Sequence, residues 1–400
     1  MVKPLLSLGM MVKDEAANLR KTLDSCAPFI DRFTILDTGS TDGTQDVVRE
    51  WQGSCGLPGL LIEEPFVDFA TSRNRVLELE ASAMNIPNAW SPSNASSAVF
   101  LLMLSGDETL VDGGALRSYL AQRADASHGG YCVLMHSGRG LFPSTRVLRI
   151  DAGWRYVGDP HELPEGPRHE RNGPTVPGSR IVHAATDPQR RFKRVREYDL
   201  PRLQARAENE KADLEERAHA IFHLAQTHEL LADEHTPKVP GGRWMAHRLQ
   251  AMALYTARAE IGDNPFMTAY SWLCALRLAR EIGNIYTVGE QIARLAHIIE
   301  MNPALPEARF MLAVCAAQID ARKGLFLSEE AARIAREASA AMAAGDQTLH
   351  FPVDVHIEYR ALLVGAACAR ELKNEKRARE LAERALAAGA PPELLQEFRE

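Results

Sequence analysis

The stretch ILDTGSTDGTQDVV, residues 35–48, runs from an apolar segment into a helical pattern. It places Asp37, Ser40, Thr41 and Asp42 within a single turn. Small polar and acidic side chains at such a position commonly cap the next helix, because their oxygens accept hydrogen bonds from its unpaired N–H groups. A carboxylate at the tip of an apolar strand can instead hold a ligand. We interpret Ser40, Thr41 and Asp42 as capping residues and expect Asp37 to be functional.

Short apolar runs alternate with helical patterns on both sides of this stretch, over about the first 190 residues. Strands are predicted at LLSLGMMV (5–12), FTILD (33–37), LLIEE (60–64) and AVFLLMLSGDE (98–108), with helical patterns between them. Strands that are joined through helices by short links run parallel. The pattern therefore predicts an α/β domain with a mostly parallel sheet covered on both faces. NIPNAWSPSNASS (85–97) predicts a loop insertion.

The second half of the chain has a different pattern, because strand signals stop and amphipathic helical segments follow one another. The breaks GDNP (262–265) and EMNP (300–303) begin 38 residues apart, close to the length of a helix-pair repeat. We predict an α/β domain over residues 1–200 and an all-α, tetratricopeptide-like helical-repeat domain over residues 201–400.

Composition excludes several classes of protein. A net charge of -7 over 400 residues argues against a dedicated nucleic-acid binder. No apolar run approaches the roughly 20 residues that span a bilayer, and the first residues read as a strand and not as a signal peptide. The six cysteines are scattered without a C-x-x-C pair, which is typical of reduced thiols and gives no zinc framework. We expect a cytoplasmic protein.

The predicted strands end in carboxylates. KDE follows the first strand, Asp37 ends the second, and SGDE ends the fourth. The chain has neither a G-x-G-x-x-G after the first strand nor a P-loop motif, which disfavours dinucleotide oxidoreductases and P-loop phosphotransferases. Carboxylates at strand tips suit a ribose diol, a base edge or a hard cation that holds a diphosphate.

These motifs resemble those of a known enzyme family. SLGMMVKDEAANLRKTLDSCAPFIDRFTILDTGSTDGT is similar to the start of family 2 glycosyltransferases, inverting nucleotide-sugar enzymes with the A-type fold. It is most similar to a bacterial subgroup with VKNE, DTGSTDGT and HE motifs. DFATSRNRVLE, LLMLSGDE and TRVLRIDAGWRYVGDPHELPEG resemble the later segments of that subgroup, in the same order. The resemblance covers roughly residues 5–190, and a tetratricopeptide-like tail is common in the subgroup.

The resemblance implies a donor site at the strand tips. It places Asp37 beneath the uridine part of a nucleotide-sugar, and Arg73 and Asn74 near the nucleotide. Outside this context, a single surface Arg is ordinarily just solvated. Three residues at the end of the first strand are assigned to the same nucleotide-sugar site: Met11, Lys13 and Glu15.

A metal site is implied at the end of the fourth strand. In the family, an Asp-x-Asp motif holds a divalent cation, Mn²⁺ or Mg²⁺, against the two phosphates. Here Ser105 stands in place of the first acid, leaving Asp107 and Glu108. We assign Asp107 as a metal ligand, with the start of a turn as the alternative. His183 is a second candidate ligand, with a half-buried structural histidine as the alternative.

GDPHE (158–162) is the predicted acceptor side of the site. An inverting transfer needs a general base that takes the proton of the acceptor as it attacks the sugar. We assign Glu162 to this role and Asp159 as the reserve. His161 would position the base or bind the diphosphate.

The resemblance thus implies transfer of a hexose from an NDP-sugar, expected to be UDP-linked, to a peptide, protein or glycan acceptor such as a lipopolysaccharide core. The repeats would dock the acceptor or mediate homo-oligomerisation. The alternative is a non-catalytic helical-repeat interaction protein with a degenerate nucleotide-sugar-binding domain, an alternative that Ser105 leaves open. Nucleotidylyltransfer would need a Gly- and Arg-rich loop after the first strand, and GMMVKDEAAN lacks one.

Overall fold

The structure, a computed structural model, describes residues 4–86, 99–123, 128–138, 140–184, 187–234, 238, 241–345 and 353–398. The chain divides into two compact units. Unit 1 comprises Met1–Thr186 with Ala341–Pro352, and unit 2 comprises Asp187–Ala340 with Val353–Glu400. The domain limits of 1–200 and 201–400 stay a prediction, and helical structure already begins at Pro188.

Unit 1 contains a mixed sheet with helices between its first strands. Its strands are β1 Leu6–Val12, β2 Arg32–Asp37, β3 Gly59–Glu63, β4 Phe100–Leu104, β5 Glu108–Val111, β6 Gly130–Ser137, β7 Gly140–Arg149, β8 Arg155–Val157, β9 Leu163–Glu165 and β10 Thr175–His183. Its helices are α1 Ala16–Cys26, α2 Thr44–Cys55, α3 Phe69–Ala83 and α4 Gly113–Ala121. The main sheet has the order β3-β2-β1-β4-β7-β6-β10-β5, while β8 and β9 pair separately.

The first four strands of the main sheet run parallel to one another, and β6 is parallel to β10. The pairings β4–β7, β6–β7 and β5–β10 are antiparallel. The predicted fold class, an α/β domain with a mostly parallel sheet, is therefore confirmed. Since the antiparallel strand β7 lies between β4 and β6, the strands β1, β2, β4 and β10 all end on one side of the sheet, which we call the carboxyl edge.

Alternate residues of β4 show how the sheet is covered on both faces. Phe100, Leu102 and Leu104 enter one buried cluster, which also contains side chains of α1 and α2. Leu101 and Met103 enter the other, which contains side chains of α3. Successive strand residues point to opposite faces, so a fully apolar run such as FLLML can only be buried on both sides.

A buried carboxylate fastens α3 to the sheet. Glu80 is fully buried and accepts hydrogen bonds from the hydroxyls of Ser7 at 2.6 Å and Thr34 at 2.5 Å. The Arg32 guanidinium lies 2.9 Å from the same carboxylate. These bonds tie one end of α3 to β1 and β2.

The fourth strand is shorter than predicted. The strand predicted over 98–108 ends at Leu104, and Glu108 begins the antiparallel strand β5. The Glu108 carboxylate accepts a hydrogen bond from the Ser105 N–H at 2.8 Å, which closes the turn between the two strands. Residue 98 and most of the predicted insertion, residues 87–97, lie outside the described residues.

Unit 2 is helical apart from a two-residue strand, Val353–Asp354. Its helices are α5 Pro188–Arg194, a π-helical turn Val195–Asp199, α6 Leu200–Glu208, α7 Leu214–Asp233, α8 Arg243–Ile261, α9 Pro265–Gly283, α10 Val288–Met301, α11 Pro306–Ala317, α12 Ala321–Ala343, α13 Ile357–Glu371, α14 Glu375–Ala387 and a 3₁₀ helix Pro392–Phe398. The predicted all-helical second half is confirmed. Its relationship to tetratricopeptide repeats stays a prediction.

Several helices of unit 2 begin or end at residues that are typical of helix caps. Helix α8 ends at Ile261, just before Gly262, which has a left-handed backbone, and the Asn264 side chain caps the start of α9. A Thr287–Glu290 capping box begins α10. Within the part of the chain that the structure describes, no helix combines the length and the apolar character needed to cross a membrane.

Candidate functional site

Asp37 ends β2 at the carboxyl edge and is fully buried. Its Oδ1 accepts hydrogen bonds from the N–H groups of Gly39 and Ser40, each at 2.9 Å, and from the Gln45 amide at 3.1 Å. Its Oδ2 has no hydrogen-bond partner among the described residues. One oxygen therefore shapes the turn, while a ligand can satisfy the other. An unpaired buried acceptor costs free energy, so such an atom marks a candidate binding group.

The turn that follows Asp37 caps the starts of two helices, α2 and α1. Asp42 Oδ1 accepts from the Thr44 N–H at the start of α2, and its Oδ2 accepts from the Ala16 N–H at the start of α1. The Ser40 hydroxyl accepts from the Asp14 N–H at 2.8 Å. The capping interpretation is thus confirmed for Asp42, which also caps the preceding helix α1. It was wrong for Ser40 and Thr41, because the Ser40 hydroxyl and the Thr41 N–H bond to Asp14 and not to the start of α2.

The end of β1 lies against the end of β4. A Cβ atom added to Gly106 would lie 2.5 Å from Glu15 Cγ, so only glycine fits beside this side chain. The Gly106 carbonyl also accepts a hydrogen bond from the Thr22 hydroxyl at 2.9 Å. Met11 is half-buried within β1, and Lys13 is exposed just beyond it. Contact of Met11, Lys13 and Glu15 with a nucleotide stays a prediction.

The two predicted metal ligands lie side by side. His183 Nε2 is 3.3 Å from Asp107 Oδ2. The antiparallel register of β5 and β10 creates this contact, because it places His183 opposite Glu108, and the Ala184 N–H donates to the Asp107 carbonyl at 2.9 Å. Residues from two distant parts of the sequence therefore converge at the carboxyl edge.

A carboxylate oxygen and an imidazole nitrogen fit a divalent cation. Among the described residues, however, no group of three or more His, Cys, Asp or Glu side chains could hold a metal ion. A cation bound by Asp107 and His183 would therefore need phosphate oxygens and water as its other ligands. That is the usual arrangement where a metal is bound together with a phosphorylated substrate.

Glu108 has a structural role. It is 2% exposed, and its carboxylate binds both terminal nitrogens of Arg146, at 2.8 and 3.1 Å. Burial alone raises the pKa of Glu108, but Arg146 and the Ser105 N–H outweigh burial and hold this pKa below its usual range. The acid is thus ionised and fully engaged. Asp107, the other carboxylate of this turn, lies beside His183.

Arg73 and Glu162, which were assigned to the donor and acceptor sides, form an ion pair. Arg73 Nε lies 2.6 Å from Glu162 Oε1, and the two side chains are only 13% and 11% exposed. Burial by itself lowers the pKa of Arg73, but the Glu162 carboxylate, together with Tyr156 and Glu108, more than offsets it, so this pKa lies above its usual value. In this structure Arg73 therefore orients Glu162, and a contact of Arg73 with a phosphate stays a prediction.

Asn74 is engaged through both ends of its amide. Its Nδ2 donates to the Tyr156 carbonyl at 2.9 Å, and its Oδ1 accepts from the Tyr156 N–H at 2.7 Å. Asn74 thus positions β8, and its predicted contact with the nucleotide has no support from these bonds. Tyr156, whose ring centre lies 5.5 Å from the Arg73 guanidinium, was missed. It could have been found as the tyrosine of the resembling WRYVGDPHE segment.

The GDPHE segment is fastened to the start of α3. The Phe69 N–H lies 3.5 Å from Asp159 Oδ1, and the bond between Asp159 and Pro160 is cis. Asp159 is half-buried, whereas His161 is exposed and has a positive φ of 62°. Catalytic roles for Asp159 and His161 stay predictions.

No protein-family profile and no curated protein matches this chain. Among solved structures, S. aureus TarS 1-349 matches at 14% identity, covering 70% of this chain and 90% of that one, with a TM-score of 0.34. Glucosyl-3-phosphoglycerate synthase from Mycobacterium tuberculosis, in complex with Mn²⁺ and UDP-glucose, matches at 16% identity over 34% of this chain and 44% of that one, with a TM-score of 0.22. Mannose-1-phosphate geranyltransferase from Thermus thermophilus matches at 16% identity over 53% of this chain and 66% of that one, also with a TM-score of 0.22. The resemblance to such enzymes is distant and decides neither activity nor ligand.

Proposed function

We propose that unit 1 is the catalytic domain of a cytoplasmic, inverting glycosyltransferase that uses a UDP-linked hexose as its donor. The observation that carries this proposal is the 3.3 Å contact between Asp107 and His183 at the carboxyl edge. This edge of an α/β sheet is where ligands bind. Asp37 ends β2 at the same edge, and its buried Oδ2 has no hydrogen-bond partner among the described residues.

On the donor side, Asp37 Oδ2 would accept a hydrogen bond from the uracil N–H or from a ribose hydroxyl. The exposed Lys13 would contact a phosphate. Asp107 and His183 would hold Mn²⁺ or Mg²⁺, which when bound neutralises charge on the leaving diphosphate. Ser105 adds no carboxylate to this set, so these two side chains carry the protein's share of the ligands.

On the acceptor side, Glu162 would take the proton of an acceptor hydroxyl. The oxygen of that hydroxyl then attacks the anomeric carbon from the face opposite the UDP, forming the new glycosidic bond as the bond to the diphosphate breaks. The contact with Arg73 at 2.6 Å holds the Glu162 carboxylate in one orientation. Asp159 remains the reserve candidate for the base, and His161 would position the base or bind the diphosphate.

We propose that the helices of residues 201–400 form tetratricopeptide-like repeats that dock a peptide, protein or glycan acceptor or join two copies of the chain. Support comes from the succession of helices α7 to α11, of which α9 and α10 begin with side-chain caps. The rival function, a non-catalytic interaction protein, is favoured by Ser105, because one acid of the expected metal motif is absent. Turnover with any donor separates the two proposals.

The test is UDP release from a panel of UDP- and GDP-sugars, with Mn²⁺, Mg²⁺ or EDTA. Water can replace the acceptor in slow donor hydrolysis, so the acceptor need not be known. We compare the wild type with Asp107→Ala and with Asp112→Ala, an acid five positions along whose side chain is 61% exposed. We expect metal-dependent release that Asp107→Ala abolishes and Asp112→Ala preserves.

Two results would contradict the proposal. Equal loss in both variants would show that Asp107 has no special role. Absence of both release and calorimetric binding of every donor to the wild type would end the catalytic proposal and favour the interaction protein.

A further inference from the structure

The Tyr156 hydroxyl is buried without a hydrogen-bond partner among the described residues, and the whole side chain is 6% exposed. Buried tyrosine hydroxyls usually find a partner, because an unmade hydrogen bond costs free energy. We propose that this hydroxyl binds a hydroxyl group of the donor hexose and so takes part in selecting the sugar. This inference rests on the proposed glycosyltransferase function and assigns one contact within that site.

The charges around Tyr156 favour a neutral ligand. Burial raises the pKa of Tyr156, and the groups that also act on it are Arg73, Arg146, Glu162 and Glu108. These four form two ion pairs, Arg73 with Glu162 and Arg146 with Glu108. Each guanidinium is thus already matched by a carboxylate, so a diphosphate would gain little here. A phenol can both donate and accept, which suits a sugar hydroxyl.

The position of the phenol is fixed by the protein. The Asn74 amide holds the main chain of Tyr156 at its N–H and its carbonyl, and the Arg73 guanidinium lies 5.5 Å from the ring centre. A group held in this way loses little freedom when it binds a ligand. Because the hydroxyl is itself shielded, a sugar reaches it only after neighbouring side chains shift.

Tyr156→Phe removes the hydroxyl and keeps the ring beside Arg73. We would measure binding of UDP and of UDP-glucose, UDP-galactose and UDP-N-acetylglucosamine by calorimetry, together with the Tm. We expect about three- to tenfold weaker binding of the UDP-hexose that the wild type prefers, the effect of one hydrogen bond. UDP should bind as it does to the wild type, and the Tm should be equal or higher, because no protein hydrogen bond is lost.

Tyr131→Phe is the matched control, since Tyr131 is a fully buried tyrosine of the same unit whose ring packs on Phe100 in the core. It should leave the affinities for UDP and UDP-hexose in their wild-type ratio. Wild-type affinity of Tyr156→Phe for UDP-hexose, equal weakening of UDP and UDP-hexose, or a lowered Tm would each overturn the inference while leaving the proposed function intact. A wild type that binds neither UDP nor any UDP-hexose would overturn both.

Discussion

Replacing Glu162 by Gln is the sharpest test of the acceptor side of the site. Gln keeps the size of the side chain and an oxygen that can accept from Arg73 Nε, but it cannot take a proton. Loss of a general base typically slows a reaction about 10²- to 10⁴-fold. This corresponds to roughly 3–5 kcal/mol on the activation barrier. We expect acceptor-free UDP release to fall by that factor while UDP binding stays unchanged.

The effect on stability should be much smaller than the effect on rate. Arg73 and Glu162 lie 2.6 Å apart and are 13% and 11% exposed, so their bond is charge-assisted and mostly shielded from water. Glu162→Gln retains a weaker version of this bond, and we expect a loss of about 1–2 kcal/mol in the free energy of unfolding. Arg73→Met leaves the shielded Glu162 carboxylate without its cation and should lower the free energy of unfolding by about 3–5 kcal/mol.

Urea unfolding and initial rates of UDP release, measured on the same preparations, check both numbers. The matched control is Glu165→Gln. The Glu165 carboxylate is also shielded, with 7% of its side chain exposed, and lies 3.2 Å from its own partner, Arg171. This control should change stability and leave UDP release nearly intact. UDP release by Glu162→Gln within twofold of the wild type, or an equal fall in the control, would refute the assignment of Glu162 as the base.

Three further outcomes are expected. Asp37→Asn keeps the oxygen that shapes its turn but offers an amide in place of the unpartnered oxygen, so calorimetry should show about 10- to 100-fold weaker UDP binding without loss of stability; unchanged affinity would remove Asp37 from the donor site. Glu80→Ala should lower the free energy of unfolding by at least about 3–5 kcal/mol in urea titrations, because it leaves buried hydroxyls and the Arg32 cation unpaired, whereas a loss below about 1 kcal/mol would contradict that network. Burial, opposed in part by the Asp354 N–H, raises the pKa of Glu307 from 4.5 to about 7. Between those pH values the folded state binds more protons than the unfolded one, so the free energy of unfolding should fall by about 3 kcal/mol as the pH rises from 4.5 to 7. Glu307→Gln should flatten this dependence in urea titrations. An equally steep pH profile in the variant would contradict the raised pKa of Glu307.

Local patterns in the sequence were enough to predict the first strands and helices of unit 1. The run FTILD and the acids after it place Asp37 at the end of β2, and the structure agrees. The segment that begins with Phe69 starts where Asp68 caps it. Strand and helix periodicity act over a few residues, so they can be recognised without knowing what packs against them. The helical second half was predictable for the same reason.

The sequence did not reveal the extent of β4 or the pairings of strands β5 to β10. The segment FLLMLSGDE was predicted as part of one strand that continues to Glu108. The strand ends at Leu104 instead, because the Glu108 carboxylate accepts a hydrogen bond from the Ser105 N–H and so forms a turn. Strands β8 and β9 have three residues each, too few for a periodic signal. Their pairing depends on residues that lie far away in the chain.

The sequence by itself determined which side chains lie at the ends of the first strands, because each apolar strand pattern ends at a recognisable residue. Only the tertiary structure decided what those side chains do. Asp42 also caps α1, Asn74 holds Tyr156, and Glu108 is bound by Arg146. His183 reaches Asp107, and Arg73 reaches Glu162. Each of these contacts joins segments distant in sequence, so it exists only after the sheet order and register are set. The physical reason is that hydrogen bonds and ion pairs depend on distances of about 3 Å, which spacing along a chain does not specify.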